Sequence, residues 1–81
     1  MIKTDNFKNW LKNNTKYSDA VIRDTVSRLR RADKILEWDN TETYLFYLER
    51  QQKFEMLSSS VRSQMRRAVK LYAAYKSADL K

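Results

Sequence analysis

Glycine, proline, cysteine and histidine are all absent from this 81-residue chain. Ordinary usage, about 7% Gly and 5% Pro, would put roughly ten of the first two in it. Glycine serves left-handed turns and proline breaks helices. Losing both argues for helices joined by short Asn- or Ser-bearing turns and against hairpin-rich β folds. Without cysteine there is no disulfide framework, thiolate metal site or Cys nucleophile, which suits a reducing cytoplasm. Without histidine the usual general base and the commonest metal ligand are gone. Long apolar runs are missing too. Runs such as Tyr44 to Leu48, which none exceeds, fall far short of the roughly 20 residues a membrane span needs. The opening MIKTDNFKNW has no apolar core resembling a signal peptide. The expectation is a soluble, cytoplasmic chain forming one domain over 1–81, with a single core.

What is present is positive charge and helical periodicity. Seventeen Lys and Arg against ten Asp and Glu leave +7, a field that favours polyanionic partners. Phe7, Trp10 and Leu11 recur at i, i+3 and i+4, which predicts a first helix over 5–13 stopped by Asn13 and Asn14. Ser18 reads as the N-cap of a second helix over 18–38, with Ile22, Val26, Leu29, Ala32 and Leu36 as its buried stripe. WDNTET is a turn signal, and Asn40 or Thr41 is expected to cap a third helix over 41–54 with Leu45 and Leu48 facing inward. One of Ser58, Ser59 and Ser60 should cap a fourth over 59–77, whose inner side carries Val61, Met65, Ala68, Tyr72 and Tyr75. Phe7, Trp10 and Trp38 read as core anchors. The fold class is therefore all-α, a small four-helix bundle of two helical hairpins.

The charge is uneven. On the second helix Asp19 precedes Arg23 by four residues and Asp24 precedes Arg28 by four, the favourable order for helical ion pairs. Arg30 and Lys34 remain on the side of Arg23 and Ser27. The third helix is acidic, with a Glu49–Lys53 pair expected along it. The fourth has no acidic residue from Ser58 to Ser77 but carries Arg62, Arg66, Arg67, Lys70 and Lys76. Arg62, Arg66 and Lys70 repeat every four residues and are expected to face solvent. Such a stripe repels itself by a few tenths of a kcal/mol per pair, and the serines add donors at a positive helix N-terminus. An external anion would complete it; screening by salt is the competing explanation.

The order NFKNWLKNN…YSDAVIRDTVSRLRRADKIL…SSSVRSQMRRAVKLYAAY resembles the core-binding domain of tyrosine recombinases, the phage-integrase class. That SAM-like domain is a bundle of about four helices preceding a catalytic domain. Ser18, Ile22 and Leu29 fit the family's Ser-led second-helix pattern, and Ser60, Val61, Met65 and Tyr72 fit its fourth. Val21 and Thr25 depart from it, standing where the family often has Thr and Tyr. The resemblance implies that the second and fourth helices face double-stranded DNA. The DNA-binding candidates are then Ser27, Arg30, Lys34, Ser60, Arg62, Ser63, Arg66, Arg67 and Lys70. It also implies partners in a downstream catalytic domain or other recombinase protomers. A chain ending at Lys81, just past a helix, would suit a cut at an interdomain linker.

Recombinase chemistry needs an Arg-His-Arg set and a nucleophilic Tyr, so a chain without His is expected to catalyse nothing. No cofactor, metal, small-molecule substrate or membrane is expected. The competing class is a helical protein-interaction module whose basic face meets an acidic partner or stabilises a larger assembly, which an exposed apolar patch on the third helix or at the C-terminus would favour.

Overall fold

The computed structural model describes residues 2–79; the expectation attached to Lys81 lies outside them. Among the described residues there is no strand, and the helices are α1 (Asp5–Asn14), α2 (Asp19–Ile35), α3 (Tyr44–Glu49), α4 (Gln52–Glu55) and α5 (Ser59–Asp79). The all-α expectation holds.

α1 carries Asp5 at its positive end and Lys12 at its negative end. Asn13 and Asn14 do not stop it by turning left-handed; both are helical. The stop is made by side chains. Thr15 is extended, and its Oγ1 donates to Leu11 O at 2.6 Å, while Asn14 Nδ2 donates to Trp10 O at 2.9 Å. Leu11 O accepts the Thr15 backbone N–H as well, at 3.0 Å, so the side chains add second bonds to carbonyls of the last turn.

α2 begins as expected, with Ser18 Oγ accepting the Val21 N–H at 3.3 Å. It ends at Ile35, short of the expected Trp38, because Leu36 is extended and Asp33 Oδ1 accepts the Trp38 N–H at 3.0 Å. The Tyr44 hydroxyl sits over this end, 2.5 Å from Leu36 O and 3.2 Å from Ala32 O. A tertiary hydrogen bond thus finishes a helix that periodicity alone would have prolonged.

The single helix expected over 41–54 is instead two short ones. Neither Asn40 nor Thr41 caps it. Asn40 takes a left-handed conformation, φ 61°, and Asp39 Oδ1 accepts both the N–H and the hydroxyl of Thr41, at 3.0 and 2.7 Å. The break between α3 and α4 falls at the extended Gln51. On an unbroken helix Phe54 would point about 120° away from Leu48. The break lets Tyr44, Leu48 and Phe54 all reach the core, where each is at most 2% exposed.

α5 starts where Ser58 Oγ accepts the Val61 N–H at 3.3 Å. Packing centres on α2 against α5, with α1 on both, while α4 rests on α2. α1 and α2 pair as the first expected hairpin, and α3 and α4 add Tyr44, Leu48 and Phe54 to the core. Its buried side chains include Phe7, Leu11, Ile22, Val26, Leu29, Met65 and Tyr72 from the expected stripes. Tyr44, Phe54 and Val69 join them, and Trp10, Leu36, Leu45, Leu71 and Tyr75 are half-buried around them. The aromatic anchors interlock edge to face: Phe7 on Tyr72 at 5.1 Å, Trp38 on Tyr72 at 5.0 Å and on Tyr44 at 4.8 Å. Such pairs add about 0.5–1.5 kcal/mol each beyond burial.

Candidate nucleic-acid interface

One side of α2 and the facing side of α1 border an open groove of about 560 Å³. Lys8, Arg23, Ser27, Arg30, Arg31 and Lys34 line it with Val26, and no acidic side chain does. The exposed Arg30 is held in place: its Nη2 donates to Thr4 Oγ1 at 2.8 Å, and Thr4 is only 4% exposed. A guanidinium has five N–H donors, so most of those on Arg30 stay available. Toward the start of α2 the surface becomes mixed, with Asp5 and Asp19 beside Lys8, Lys12 and Arg23.

The helical ion pairs expected on α2 are arranged differently. Asp19 lies 3.7 Å from Lys12 across the α1–α2 turn. Arg28 donates Nε to Gln64 Oε1 of α5 at 2.8 Å. Both contacts are tertiary, beyond the reach of an i, i+4 count.

The α5 stripe is not the free cationic row that its spacing suggests. Arg66 is half-buried, donates Nε to Glu49 of α3 and carries its guanidinium over the Phe54 ring at 5.5 Å. Glu49 therefore pairs across the fold with Arg66, where a pair with Lys53 was expected. Arg62 is half-buried too, its Nε enclosed without a hydrogen-bond partner. Arg62 and Arg66 thus depart from the solvent-facing role expected of them; Lys70 keeps it.

The outer side of α5 holds a second hollow of about 460 Å³, lined by Tyr17, Ser63, Arg66, Arg67, Lys70 and Leu71. Arg67 stacks on the Tyr17 ring at 4.7 Å. The expected residues thus fall into two groups: Ser27, Arg30 and Lys34 in the α1–α2 groove, and Ser63, Arg66, Arg67 and Lys70 on α5. Ser60 is exposed in the first turn of α5. The expected set lacked Lys8, Arg23 and Arg31 of the groove and Tyr17 of the α5 hollow. Nothing in a linear pattern says that α1 sets Lys8 across from Arg30, or that the α1–α2 turn lays Tyr17 under Arg67.

Large apolar side chains are exposed elsewhere. Phe46 and Tyr47 of α3 are 50% and 53% exposed, and Met56 after α4 is 77% exposed. Arg50 covers part of Phe46, its guanidinium 3.4 Å from the ring centroid.

Among the described residues three groups titrate away from their usual values, and none lines the basic groove or the α5 hollow. Burial raises the hydroxyls of Tyr44 and Tyr72, and the Thr41 hydroxyl lowers the Asp39 carboxyl. Among the described residues no three acidic side chains gather as a metal site, and no helix is long and apolar enough to cross a membrane. Comparison with known protein families, with curated proteins and with solved structures finds no match in any of the three.

Proposed function

We propose that this chain is a non-catalytic module that binds duplex DNA, as the core-binding domains of tyrosine recombinases do. On this reading α3 and α4 together stand for the third helix of a SAM-like four-helix bundle. The observation that carries the proposal is the α1–α2 groove: five cations and a serine hydroxyl around one open channel without a carboxylate. A phosphodiester backbone matches it, because it offers repeated single charges and acceptors to a row of Lys and Arg donors. Contacts of this kind position a duplex more than they read it, so affinity exceeds sequence discrimination.

The test is the salt dependence of affinity for a 20-base-pair duplex. Each neutralised phosphate contributes about −0.9 to the slope of log affinity against log salt. The parent is expected near −4, and Arg23→Gln/Arg30→Gln/Lys34→Gln should flatten the slope by about 3. Glu42→Gln, exposed and outside the groove, is the control. A triple variant with unchanged slope and affinity would leave the groove as a solvated face.

The exposed Phe46, Tyr47 and Met56 favour a second reading, a helical protein-interaction module. Under it Phe46→Ser/Tyr47→Ser removes binding of an acidic protein partner and leaves duplex affinity unchanged.

A further inference from the structure

The two basic surfaces face away from each other. Successive residues of an α-helix advance about 100°. On α2 the groove-lining Arg23, Ser27, Arg30 and Lys34 centre roughly 140° from Val21, Asp24, Thr25 and Arg28, which border α5 beside Gln64 and Arg67. α1 repeats the division. Lys8 lines the groove, while Trp10, two residues on and so nearly opposite, packs its ring on Tyr75 of α5 at 5.8 Å. α5 thus covers one face of the α1–α2 pair and the groove opens on the other. Ser63, Arg67 and Lys70 then project from the outer side of α5, away from Met65 and Tyr72 in the core.

We infer that the chain engages two duplex segments at once, one phosphate backbone in the α1–α2 groove and a second on the outer face of α5. This rests on the DNA-binding reading above and adds a valency to it. A single duplex does not reach both faces. At nucleosomal curvature, about 45° per 10 base pairs, a half-turn takes about 40 base pairs. With a rise of about 3.4 Å per base pair, such a loop is roughly 85 Å across. The protein measures 34 Å in its longest dimension and 17 Å in its shortest. The second surface has the chemistry for a backbone: the exposed Lys70, an Arg67 fixed by stacking on Tyr17, and the Ser63 hydroxyl, with no carboxylate lining this hollow and Asp24 in the adjoining one beside Arg67. With fewer free cations than the groove, it is the weaker of the two.

The experiment measures stoichiometry and bridging at low salt. Fluorescent 20-base-pair duplex is titrated with protein in sedimentation velocity, and the same duplex is offered to protein loaded on bead-bound duplex. The parent should bind two duplexes per chain and capture the fluorescent one. Arg23→Gln/Arg31→Gln/Lys34→Gln and, separately, Arg67→Gln/Lys70→Gln should each keep one duplex, keep their helical circular dichroism, and lose capture at least about tenfold. A parent that binds one duplex and captures none overturns the two-face inference and leaves DNA binding standing. Capture that survives in either variant traces bridging to one face of a self-associated protein and overturns it too. A groove variant that binds no duplex at all shows that α5 holds none by itself, with the same consequence. A parent that binds no duplex removes both readings.

Discussion

Arg66 donates its Nε hydrogen bond to Glu49, joining α5 to α3 and withdrawing the central cation from the row Arg62, Arg66 and Lys70. The same guanidinium lies over Phe54 of α4, so one side chain ties three helices together. Its charge is partly spent inside the fold.

Arg66→Gln is therefore expected to behave as a stability variant. Both partners are more than a third exposed or close to it, so the ion pair itself contributes under about 1 kcal/mol. The ring contact adds about 0.5–1 kcal/mol. Together they predict a melting temperature lower by roughly 2–16 °C for a domain of this size, with the salt slope of duplex binding changed by less than one contact. Glu49→Gln, which leaves the Phe54 ring contact in place, should give only the ion-pair part of the thermal effect. A slope that falls by a full contact while stability holds would return Arg66 to the phosphate-binding set.

Tyr44 closes the end of α2 through Leu36 O. Tyr44→Phe keeps the buried ring and removes the donor, leaving a carbonyl without its partner. The expected loss is about 1–2 kcal/mol, read as a lower urea midpoint at unchanged helical content. An unaltered midpoint would mean that solvent satisfies Leu36 O equally well.

The same hydroxyl sets an alkaline limit. Burial, with the Asp33 and Asp39 charges adding, pushes the Tyr44 proton affinity well above its ordinary value near 10, and burial raises Tyr72 as well. The unfolded chain releases these protons near pH 10 while the folded chain keeps them. Their contribution is therefore intact below pH 10 and lost as pH rises above it, by up to about 1.4 kcal/mol per pH unit for each tyrosine. Urea midpoints from pH 9 to 11.5 should fall steeply in the parent and less steeply in Tyr44→Phe.

Thr4 positions Arg30 without itself reaching a ligand. Thr4→Val removes the acceptor of the 2.8 Å bond while keeping the buried shape. Duplex affinity should drop about threefold to tenfold through a looser Arg30, as expected when about 0.7–1.4 kcal/mol of a charge-assisted hydrogen bond is lost. Thr4→Ser should restore it. Equal affinity in all three proteins would reduce Thr4 to a packing residue.

Local information decided much of this protein. The absence of Gly and Pro and the 3.6-residue stripes determined an all-α chain, and the inner faces of α1, α2 and α5 follow from Phe7 and Leu11, Ile22 to Ala32, and Met65 to Tyr72. The Ser18 cap was equally legible, because its hydrogen bond spans three residues. Tertiary structure decided the rest. The early end of α2 depends on Tyr44, eight residues beyond Leu36, and the break of the third helix on a core that must bury both Leu48 and Phe54. The basic surface divided in the same way. A helical wheel gives each cation its direction on its own helix, but charge is free or spent according to what the other helices bring near it. Glu49 reaches Arg66 from 17 positions away and Thr4 reaches Arg30 from 26. Pairings at such separations arise only when the chain folds, because Coulomb and hydrogen-bond energies depend on distance in space and not along the sequence.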